Sequence, residues 1–446
     1  MKKVLGPAAL LLFASCSVFR PRIAPYPAGV SFPLVEAARV TYEGNIIRSP
    51  RAAEGKIYLA TDKGFLYCLD GAKKTILWEF AASLPFACPP LVESGRTYIC
   101  DRANVLYSFD GDGRMLWSKE NKETIAGEMV WHKGRIYLGT REGDLLACDP
   151  ATQEITRPFK AGGALEAGPV FWDRGIVLAC ADGKVYFLGP DGKLRMAVDV
   201  GSPVRVTPLV DGGRLFFGSD DSHFHCYGLS DLKRKWRIRI GGRVMVAPRA
   251  AGGRIFFLAS NNVLYALARS GNIQWWRIIP ARASFDLEFS PGQIIVTSPS
   301  AVLICLDRKT GEDIGRYDAG AEIRSGALWL DPDLLVNLYD FEEDKGSLIF
   351  LEKEVKAGLS ASLESPQPAG TEIAFTATAV GFYLPRFEFF LRGNEEGRTI
   401  VQEESGLNSW VWFPEKEGHY LVGVRVSDER QSREAEIPFE VAKKFP

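Results

Sequence analysis

The sequence predicts an all-β fold, an eight-bladed β-propeller followed by a small immunoglobulin-like β-sandwich. Two observations predict the propeller. The first is a unit of 39 or 40 residues that returns eight times between residues 38 and 356. The second is that each unit has the pattern of short strands separated by polar turns. A third observation predicts the second domain, because the repeat then stops while strand-like alternation continues over residues 357–446.

The repeat is clearest in residues 55–78, GKIYLATDKGFLYCLDGAKKTILW. Two apolar runs and a third run that ends in Trp78 are separated by a glycine-containing turn and an Asp-Gly turn, which predicts three antiparallel strands. The eight copies start at Gly55, Gly95, Gly134, Arg174, Gly213, Gly253, Gly292 and Pro332. Because this period has room for a fourth strand, each copy is expected to form one propeller blade.

The fourth strand of each blade is predicted just before the copy start. Proline suits a short strand near a central channel, where one edge of the strand lacks a partner. The residue five positions ahead of the start is Pro50, Pro90, Pro169, Pro208 or Pro248, and in the other copies Met129, Leu287 or Ala327. The last copy stops at Glu352 without an outer strand. The isolated strand at residues 38–42 is therefore expected to complete the eighth blade and close the ring.

The N-terminus is predicted to direct export. Residues 1–16 combine Lys2 and Lys3, an apolar run too short to span a bilayer, and small residues before Cys16. This end is similar to a bacterial lipobox, with Phe13 where leucine is usual. The similarity implies that Cys16 is acylated and begins a lipid-anchored mature chain. A signal peptide that is cleaved without acylation, or one that is not cleaved, is the alternative. Ser17 then favours the outer membrane, facing the periplasm, and the proline-rich residues 17–37 are expected to form a tether.

Charge and cysteine usage narrow the class of protein. The 54 basic and 55 acidic residues balance, without a basic block, which argues against nucleic acid as a partner.

Seven cysteines follow Cys16. Three of them share one repeat column with small residues of sister copies and are therefore expected to be buried core residues: Cys68, Cys226 and Cys305. A disulfide between Cys88 and Cys100, across one predicted hairpin, stays open as an alternative.

Asp221, His223 and His225 are the local candidates for a metal site, because alternate side chains of a strand project from one face. The repeat favours a structural role, since His225 stands in a column that holds Tyr67, Tyr107, Tyr186 and Tyr265. Recurrent aspartates are interpreted as caps of tight turns rather than calcium ligands or catalytic groups: Asp62, Asp70, Asp101, Asp110, Asp149, Asp182 and Asp307. Trp78, Trp117, Trp236 and Trp276 end four copies and are expected to pack between neighbouring blades.

The repeat resembles that of the pyrroloquinoline-quinone (PQQ)-like propeller family. The resemblance covers residues 38 to about 353. It rests on the segments YCLDGAKKTILW, YSFDGDGRMLW and YALARSGNIQWW, which are similar to the tryptophan-docking motif of that family. Because the family contains both quinoprotein dehydrogenases and non-enzymatic lipoproteins, the resemblance is specific for fold and leaves the function open.

Two kinds of family member imply different functions. The dehydrogenases hold PQQ with adjacent cysteines, calcium ligands and a catalytic aspartate on long insertions. Here no two of the later cysteines are adjacent, and the even spacing leaves no room for such insertions. The BamB-type outer-membrane assembly lipoproteins, which scaffold a β-barrel insertase, agree with the anchor, the eight copies and the missing cofactor residues. The C-terminal domain departs from their common form.

We therefore expect a non-catalytic, membrane-anchored scaffold without a cofactor, which binds a protein of the cell envelope; the resemblance implies the β-barrel assembly machinery as this partner. Exposed arginines are frequent hot spots of protein interfaces. Four of them lie eight to ten residues ahead of their copy starts, toward the pore end: Arg205, Arg243, Arg282 and Arg324. Solvated or intra-ring ion pairs are the alternative role for each. A surface adhesin or carbohydrate-binding module and a PQQ-dependent oxidoreductase are the alternative functions.

Overall fold

The computed structural model describes residues 29–279, 285–393 and 397–443. Within these ranges the chain consists of strands, turns and loops, and none of it forms a helix long and apolar enough to cross a membrane. The strands form eight four-stranded antiparallel sheets, one three-stranded sheet and one five-stranded sheet. The all-β class predicted from the sequence is confirmed.

The strands are numbered in chain order. The first is β1 (Leu34–Glu43). Sheets 1 to 4 comprise β2 (Arg51–Ala53), β3 (Lys56–Ala60), β4 (Phe65–Asp70) and β5 (Thr75–Ala81); β6 (Leu91–Glu93), β7 (Arg96–Cys100), β8 (Val105–Phe109) and β9 (Met115–Glu120); β10 (Val130–His132), β11 (Arg135–Gly139), β12 (Asp144–Asp149) and β13 (Glu154–Lys160); β14 (Val170–Trp172), β15 (Gly175–Ala179), β16 (Lys184–Leu188) and β17 (Leu194–Asp199).

Sheets 5 to 7 follow in the same order. They comprise β18 (Leu209–Asp211), β19 (Arg214–Ser219), β20 (His223–Gly228) and β21 (Arg234–Arg239); β22 (Arg249–Ala251), β23 (Arg254–Leu258), β24 (Val263–Ala268) and β25 (Ile273–Ile278); β26 (Glu288–Ser290), β27 (Gln293–Val296), β28 (Val302–Asp307) and β29 (Asp313–Asp318). Sheet 8 adds β1 to β30 (Leu328–Leu330), β31 (Asp333–Asp340) and β32 (Lys345–Lys353).

The strand that begins each repeat is three residues long and lies nearest the centre. These short strands contact one another from sheet to sheet, as β2 does with β6, β14 with β18 and β26 with β30, and β30 returns to contact β2. The five prolines predicted to begin inner strands directly precede β2, β6, β14, β18 and β22, which confirms that prediction. The eight sheets therefore follow one another around a common centre.

Strand β1 completes sheet 8, as predicted. It pairs antiparallel with β32, and the order across the sheet is β1, β32, β31, β30. The strand begins at Leu34, four residues before the predicted start, because Leu34 still packs on the core between sheets 7 and 8. The last residues of the predicted tether thus belong to the sheet. On the other side of sheet 8, Val40 and Phe350 share a core with Ile57 and Leu59 of sheet 1.

Six of the seven recurrent aspartates cap their own turns, which confirms the structural interpretation for these six. Asp70 Oδ1 accepts the backbone N–H groups of Ala72 at 3.0 Å and Lys73 at 2.9 Å, so the carboxylate closes the turn between β4 and β5. The same contacts to N–H groups two to four residues further on are made by Asp101, Asp110, Asp149, Asp182 and Asp307, whereas Asp62 accepts the N–H of Asn45 from the preceding loop.

Tryptophans of the outer strands dock on the following sheet. The indole Nε1 of Trp78 donates to the carbonyl of Gly111 at 3.3 Å, and that of Trp236 donates to the carbonyl of Arg269 at 3.0 Å. The prediction for Trp276 is wrong: it is 53% exposed, while Trp275 is 8% exposed and donates to the carbonyl of Arg308 at 3.2 Å. Trp275 stands opposite Ala266, just as Trp78, Trp117 and Trp236 stand opposite Cys68, Ser108 and Cys226 in their own sheets. Because successive side chains of a strand face opposite sides, only the first tryptophan of the pair reaches sheet 7.

The chain after sheet 8 forms two further sheets. The three-stranded sheet has the order β33 (Lys356–Ala361), β35 (Ile373–Val380), β38 (Ser409–Trp412). The five-stranded sheet has the order β34 (Gln367–Pro368), β40 (Ser432–Ala442), β39 (Gly418–Ser427), β36 (Arg386–Arg392), β37 (Thr399–Ser405). The two sheets share one core, in which Phe375 and Trp412 pack against Phe389, Val424 and Phe439. This unit starts at Lys356, one residue before the predicted boundary.

Candidate functional site

The loops that lead from one sheet to the next meet the turns between the second and third strands at one end of the sheets. In seven sheets a backbone N–H of the turn donates to a carbonyl of the loop at 2.8–3.2 Å: Asp62 to Asn45, Arg102 to Pro85, Arg141 to Thr124, Ala181 to Ala164, Asp220 to Pro203, Ser260 to Arg243 and Tyr339 to Glu322. We call this end of the molecule the mouth face. These bonds fix each loop beside a turn of its own repeat.

A buried hydrophobic residue anchors each of these loops in the sheets. The anchors are Ile46, Phe86, Ile125, Leu165, Val204, Val244 and Ile323. Five of the seven also pair as single β-bridges with the adjacent turn. The residue after the anchor differs in its surroundings from loop to loop. Ile47 and Met245 pack partly on the hydrophobic core, whereas Ala87, Ala126, Glu166 and Arg205 line a cavity on this face.

The centre of the mouth face holds a cavity of about 880 Å³ whose charged side chains are mostly cationic. Arg48, Arg102, Arg141 and Arg205 line this cavity, with Glu166 as the acidic member. A narrower cavity of about 270 Å³ shares Arg48, Arg205 and Glu166. It adds Arg243 together with the acidic Glu128, Asp220 and Asp286. The mouth is therefore positively charged, whereas the narrower cavity has charges of both signs.

The predicted arginines differ in their surroundings. The guanidinium of Arg205 donates to Glu166 at 2.7 Å and to Asp220 at 3.0 Å, and these hydrogen bonds raise its pKa above the usual range. It therefore fits the ion-pair alternative, although it stays exposed in the mouth. Arg243 lines the narrower cavity, and no acidic partner contacts it among the residues that the structure describes. Arg282 lies outside the described residues.

Arg324 belongs to a different part of the mouth face. Its guanidinium lies 3.2 Å from a carboxylate oxygen of Glu322 and 4.5 Å from the ring centre of Phe341, which is 61% exposed. The ring of Tyr339 lies 5.9 Å away. A cation that is stacked on an exposed aromatic ring is a common composition for a protein contact surface. Whether any of these arginines binds a partner stays a prediction.

Sequence reasoning missed three arginines of the mouth, Arg48, Arg102 and Arg141. Arg48 lies in a loop, two residues after the anchor Ile46, while the other two lie in turns and occupy the same repeat column. The hydrogen bonds between turns and loops bring the two kinds of position together. The shared column of Arg102 and Arg141, 39 residues apart, is the signal that the sequence offered.

The Asp221, His223 and His225 cluster is a set of internal hydrogen bonds. Ser219 Oγ donates to Asp221 at 2.5 Å and lies 3.0 Å from His225 Nε2, while His223 Nδ1 lies 3.1 Å from Asp221 Oδ2. His225 is buried and its ring stacks on Phe217. Burial lowers the pKa of His225 to about 4. Among the described residues, no group of three or more His, Cys, Asp or Glu side chains is placed to hold a metal ion.

The seven cysteines after Cys16 are buried free thiols. The disulfide alternative for Cys88 and Cys100 is wrong: the Cys88 thiol lies 4.0 Å from the carbonyl oxygen of Cys100, and the Cys100 thiol contacts the carbonyl of Asp101. Burial raises the pKa of Cys88 to about 12 and that of Cys226 to about 11. Because the thiolate is the reactive form, these thiols are poor nucleophiles at neutral pH. Cys16 itself lies outside the described residues.

Comparison with known proteins agrees with this architecture. A family model described as outer membrane protein assembly factor BamB matches residues 37–156, 153–237 and 181–329. The outer membrane protein assembly factor BamB of Nitrosomonas eutropha is 32% identical over 122 residues, which cover 26% of this chain and 29% of that protein. The alignment thus spans less than a third of that relative's length.

Two solved structures share the fold. The crystal structure of BamB from Moraxella catarrhalis covers 71% of this chain and 100% of its own, with a TM-score of 0.59 and 13% identity. The computationally designed Ika8 protein covers 69% of this chain and 97% of its own, with a TM-score of 0.61 and 11% identity. At these identities the likeness concerns the fold, and together with the family match it supports a PQQ-like β-propeller.

Proposed function

Because the chain belongs to the family described as outer membrane protein assembly factor BamB, we propose that it is a non-catalytic protein-binding scaffold that serves outer-membrane protein assembly. In this proposal the eight four-stranded sheets are the eight blades of one closed propeller. A rigid ring whose loops converge on one face suits a scaffold, because the binding groups are held by hydrogen-bonded loops rather than by flexible segments.

A non-catalytic role is supported by the chemistry of the reactive side chains. The free thiols are buried and their pKa values are raised, so that they are held as neutral thiols. The Ser219 hydroxyl lies between Asp221 and His225, and it is itself 2% exposed. A nucleophilic serine must instead be open to substrate, with histidine between serine and carboxylate. Neither the buried thiols nor the Ser219 hydroxyl is therefore placed for covalent catalysis.

We further propose that acylated Cys16 anchors the chain to the outer membrane, with residues 17–28 as the tether, since Val30 is already buried in the core between sheets 7 and 8 and its N–H donates to Gln293 Oε1 at 2.7 Å. Leu34 of β1 pairs with Lys353 at the end of β32, and the N–H of Glu354 donates to the carbonyl of Pro33 at 2.8 Å. At the other end of β1, Glu43 pairs with Lys345 beside the mouth face. The described chain therefore enters the fold beside sheets 7 and 8, at the end of these sheets that is opposite the mouth face. An anchored ring would turn its mouth away from the membrane.

The C-terminal unit is proposed to be an immunoglobulin-like module that acts as a spacer or a second contact surface. Its two sheets share a single aromatic core, as a β-sandwich does. The unit begins at Lys356, directly after the strand that ends opposite the mouth face. The matches of the family model end at residue 329, so this module lies beyond the part of the chain on which the family assignment rests.

The family match is the observation that carries this proposal, and a crosslinked pull-down of the full-length protein from its native envelope tests it. We expect mass spectrometry to identify an outer-membrane insertase of the β-barrel assembly machinery. A triple Ala variant of Arg205, Arg243 and Arg324 should recover at least fivefold less of it, in the range of hot-spot losses of about 1–2 kcal/mol. Recovery of host or glycan material without any envelope protein would contradict the assembly role.

A matched control separates the mouth from general loss of charge. Arg96, Arg114 and Arg195 are exposed and lie at the opposite end of sheets 2 and 4, beside turns that face away from the mouth. Replacing these three by Ala removes the same charge, and recovery of the insertase should stay at the wild-type level. A Cys16→Ala variant should lose membrane fractionation and keep the fold. Retention of that variant in the membrane fraction would contradict the anchor.

A further inference from the structure

We propose that the mouth of the central channel is a binding site for an extended acidic segment of the partner protein. The proposal rests on the function proposed above only in taking the ligand to be part of a protein. The residues that carry it are Arg48, Arg102 and Arg141, which come from sheets 1, 2 and 3 and line the cavity of about 880 Å³ together with Arg205. None of the three belongs to the arginines expected from the sequence.

Part of the positive charge of the mouth is not compensated by carboxylates of the chain. Two neighbouring arginines already have acidic partners. A guanidinium nitrogen of Arg51 lies 3.2 Å from a carboxylate oxygen of Glu128, and one of Arg205 lies 2.7 Å from a carboxylate oxygen of Glu166. In contrast, no carboxylate lies within ion-pair distance of Arg48, Arg102 or Arg141 among the described residues. One side of the mouth thus presents three guanidinium groups that are free to pair with anions from outside.

Backbone hydrogen bonds fix the Cα positions of these arginines. The N–H of Arg102 donates to the carbonyl of Pro85, and that of Arg141 to the carbonyl of Thr124, each at 2.8 Å. Arg48 follows Ile47, whose N–H donates to the carbonyl of Ala60 at 3.0 Å. Each side chain therefore starts from a point held by the sheet. Binding then costs the ordering of the side chains but not of the loops.

The spacing of the arginines favours an extended ligand over a single small anion. Three guanidinium groups from three successive sheets are spread along the rim of a cavity that is much larger than one carboxylate or phosphate group. An extended peptide offers carboxylates at regular spacing, alternately on its two sides. The narrower cavity contains Glu128, Asp220 and Asp286, which disfavour an anion that enters deeply. An acidic segment would accordingly lie across the mouth and contact the rim.

The described chain leaves the mouth accessible. Residues 29–33 pack beside sheets 7 and 8, and the C-terminal unit follows sheet 8, both at the end opposite the mouth face, where Leu34 pairs with Lys353. At the mouth itself the cavity is bounded by short loops and turns of sheets 1 to 5. A protein segment that approaches from the side away from the tether therefore reaches Arg48, Arg102 and Arg141 directly.

Fluorescence anisotropy with the purified mature protein tests the site. The probe is a labelled peptide of about ten residues in which Asp and Glu alternate with Gly and Ser; the reference peptide carries Asn and Gln instead. We expect the acidic peptide to bind and the amide peptide not to bind. The affinity should fall steeply between about 50 mM and about 300 mM salt, since exposed charges are screened over this range.

The decisive comparison is between two triple variants with the same change in net charge. Arg48→Gln, Arg102→Gln and Arg141→Gln together should weaken peptide binding by about tenfold or more. Arg96→Gln, Arg114→Gln and Arg195→Gln together should change it by less than about twofold, because these residues lie at the other end of the sheets. Since all six side chains are exposed, both variants are expected to unfold at the wild-type temperature.

Several outcomes would overturn the proposal. The first is that the wild type does not bind the acidic peptide, and the second is that the two triple variants lose peptide affinity equally. The third is that citrate competes at a lower concentration than the unlabelled peptide, which would indicate a small polycarboxylate as the ligand. The pull-down gives a separate result. Peptide binding at the mouth without recovery of an insertase would remove the assembly role and keep the site. Recovery of an insertase without peptide binding would keep the role and remove the site.

Discussion

Protonation of His225 should make sheet 5 sensitive to acid. The side chain is 2% exposed, its Nε2 lies 3.0 Å from Ser219 Oγ, and its Nδ1 is buried without a hydrogen-bond partner. Burial lowers the pKa of His225 to about 4, and the carboxylate of Asp221 offsets this only in part. In the unfolded chain the pKa of histidine is about 6.5. The folded chain therefore binds fewer protons than the unfolded chain between these two values.

The sign and size of the effect follow from this difference. Because unfolding takes up a proton between pH 6.5 and pH 4, the free energy of unfolding falls as the pH falls through this range. The full loss is about 3 kcal/mol, and at pH 5 about 2 kcal/mol of it is already present. At pH 7 the imidazole is neutral in both states, and the contribution to stability is close to zero.

His225→Tyr removes the titration while keeping the packing of the repeat. In sheet 4 the hydroxyl of Tyr186, in the same column, donates to Asp182 at 2.5 Å, and Asp221 stands at the equivalent turn position in sheet 5. Urea unfolding followed by tryptophan fluorescence at pH 7 and pH 5 measures the effect. The wild type should lose about 2 kcal/mol more than the variant between the two pH values. Parallel pH dependence of the two proteins would refute the reasoning, and His419→Gln, at an exposed position, is the control.

Three further predictions concern the docking of sheets and the thiols. Trp275→Ala should cost about 3–5 kcal/mol of unfolding free energy, because it removes a buried indole, whereas Trp276→Ala should stay within about 0.5 kcal/mol in the same urea experiment. Gly311→Ala should cost about 1–3 kcal/mol, since Gly311 has a φ of 73° and an added Cβ would lie 2.7 Å from the Trp275 ring; an unchanged midpoint would contradict this contact. Cys88 and Cys100 should resist alkylation in the native protein and both react after unfolding without a reductant, and failure to react then would indicate a disulfide.

The repeat explains how much of the fold could be predicted. The strands, the turn aspartates and the closure by β1 follow from a period that recurs with one residue of variation, and each of them is a local or periodic property. The choice between Trp275 and Trp276 was missed because the turn before the outer strand varies by one residue: the docked tryptophan lies 23 residues after the copy start in sheets 1 and 5 and 22 residues after it in sheets 2 and 6. Trp117, at the shorter distance, is the signal that the sequence offered for Trp275.

The candidate site was harder to predict because no single repeat contains it. Arg48 comes from a loop, while Arg102 and Arg141 come from turns in other sheets, so their separation in sequence ranges from 39 to 93 residues. Each repeat contributes one or two groups, and nothing near them in sequence forms a motif. Only the hydrogen bonds between turn and loop, and the succession of sheets around the centre, bring these groups to one rim.

The same architecture separates structural from functional positions. Columns that point into the sheets repeat the same kind of residue, as the loop anchors do from Ile46 to Ile323, because every repeat must bury an equivalent surface. Columns at the mouth vary in charge from sheet to sheet, and the fold does not depend on them. Selection for a partner can therefore act on the mouth residue of one sheet without disturbing its neighbours. An acidic segment lying across sheets 1 to 3 would use this freedom, because each guanidinium adds one contact without changing the pairing of the eight four-stranded sheets.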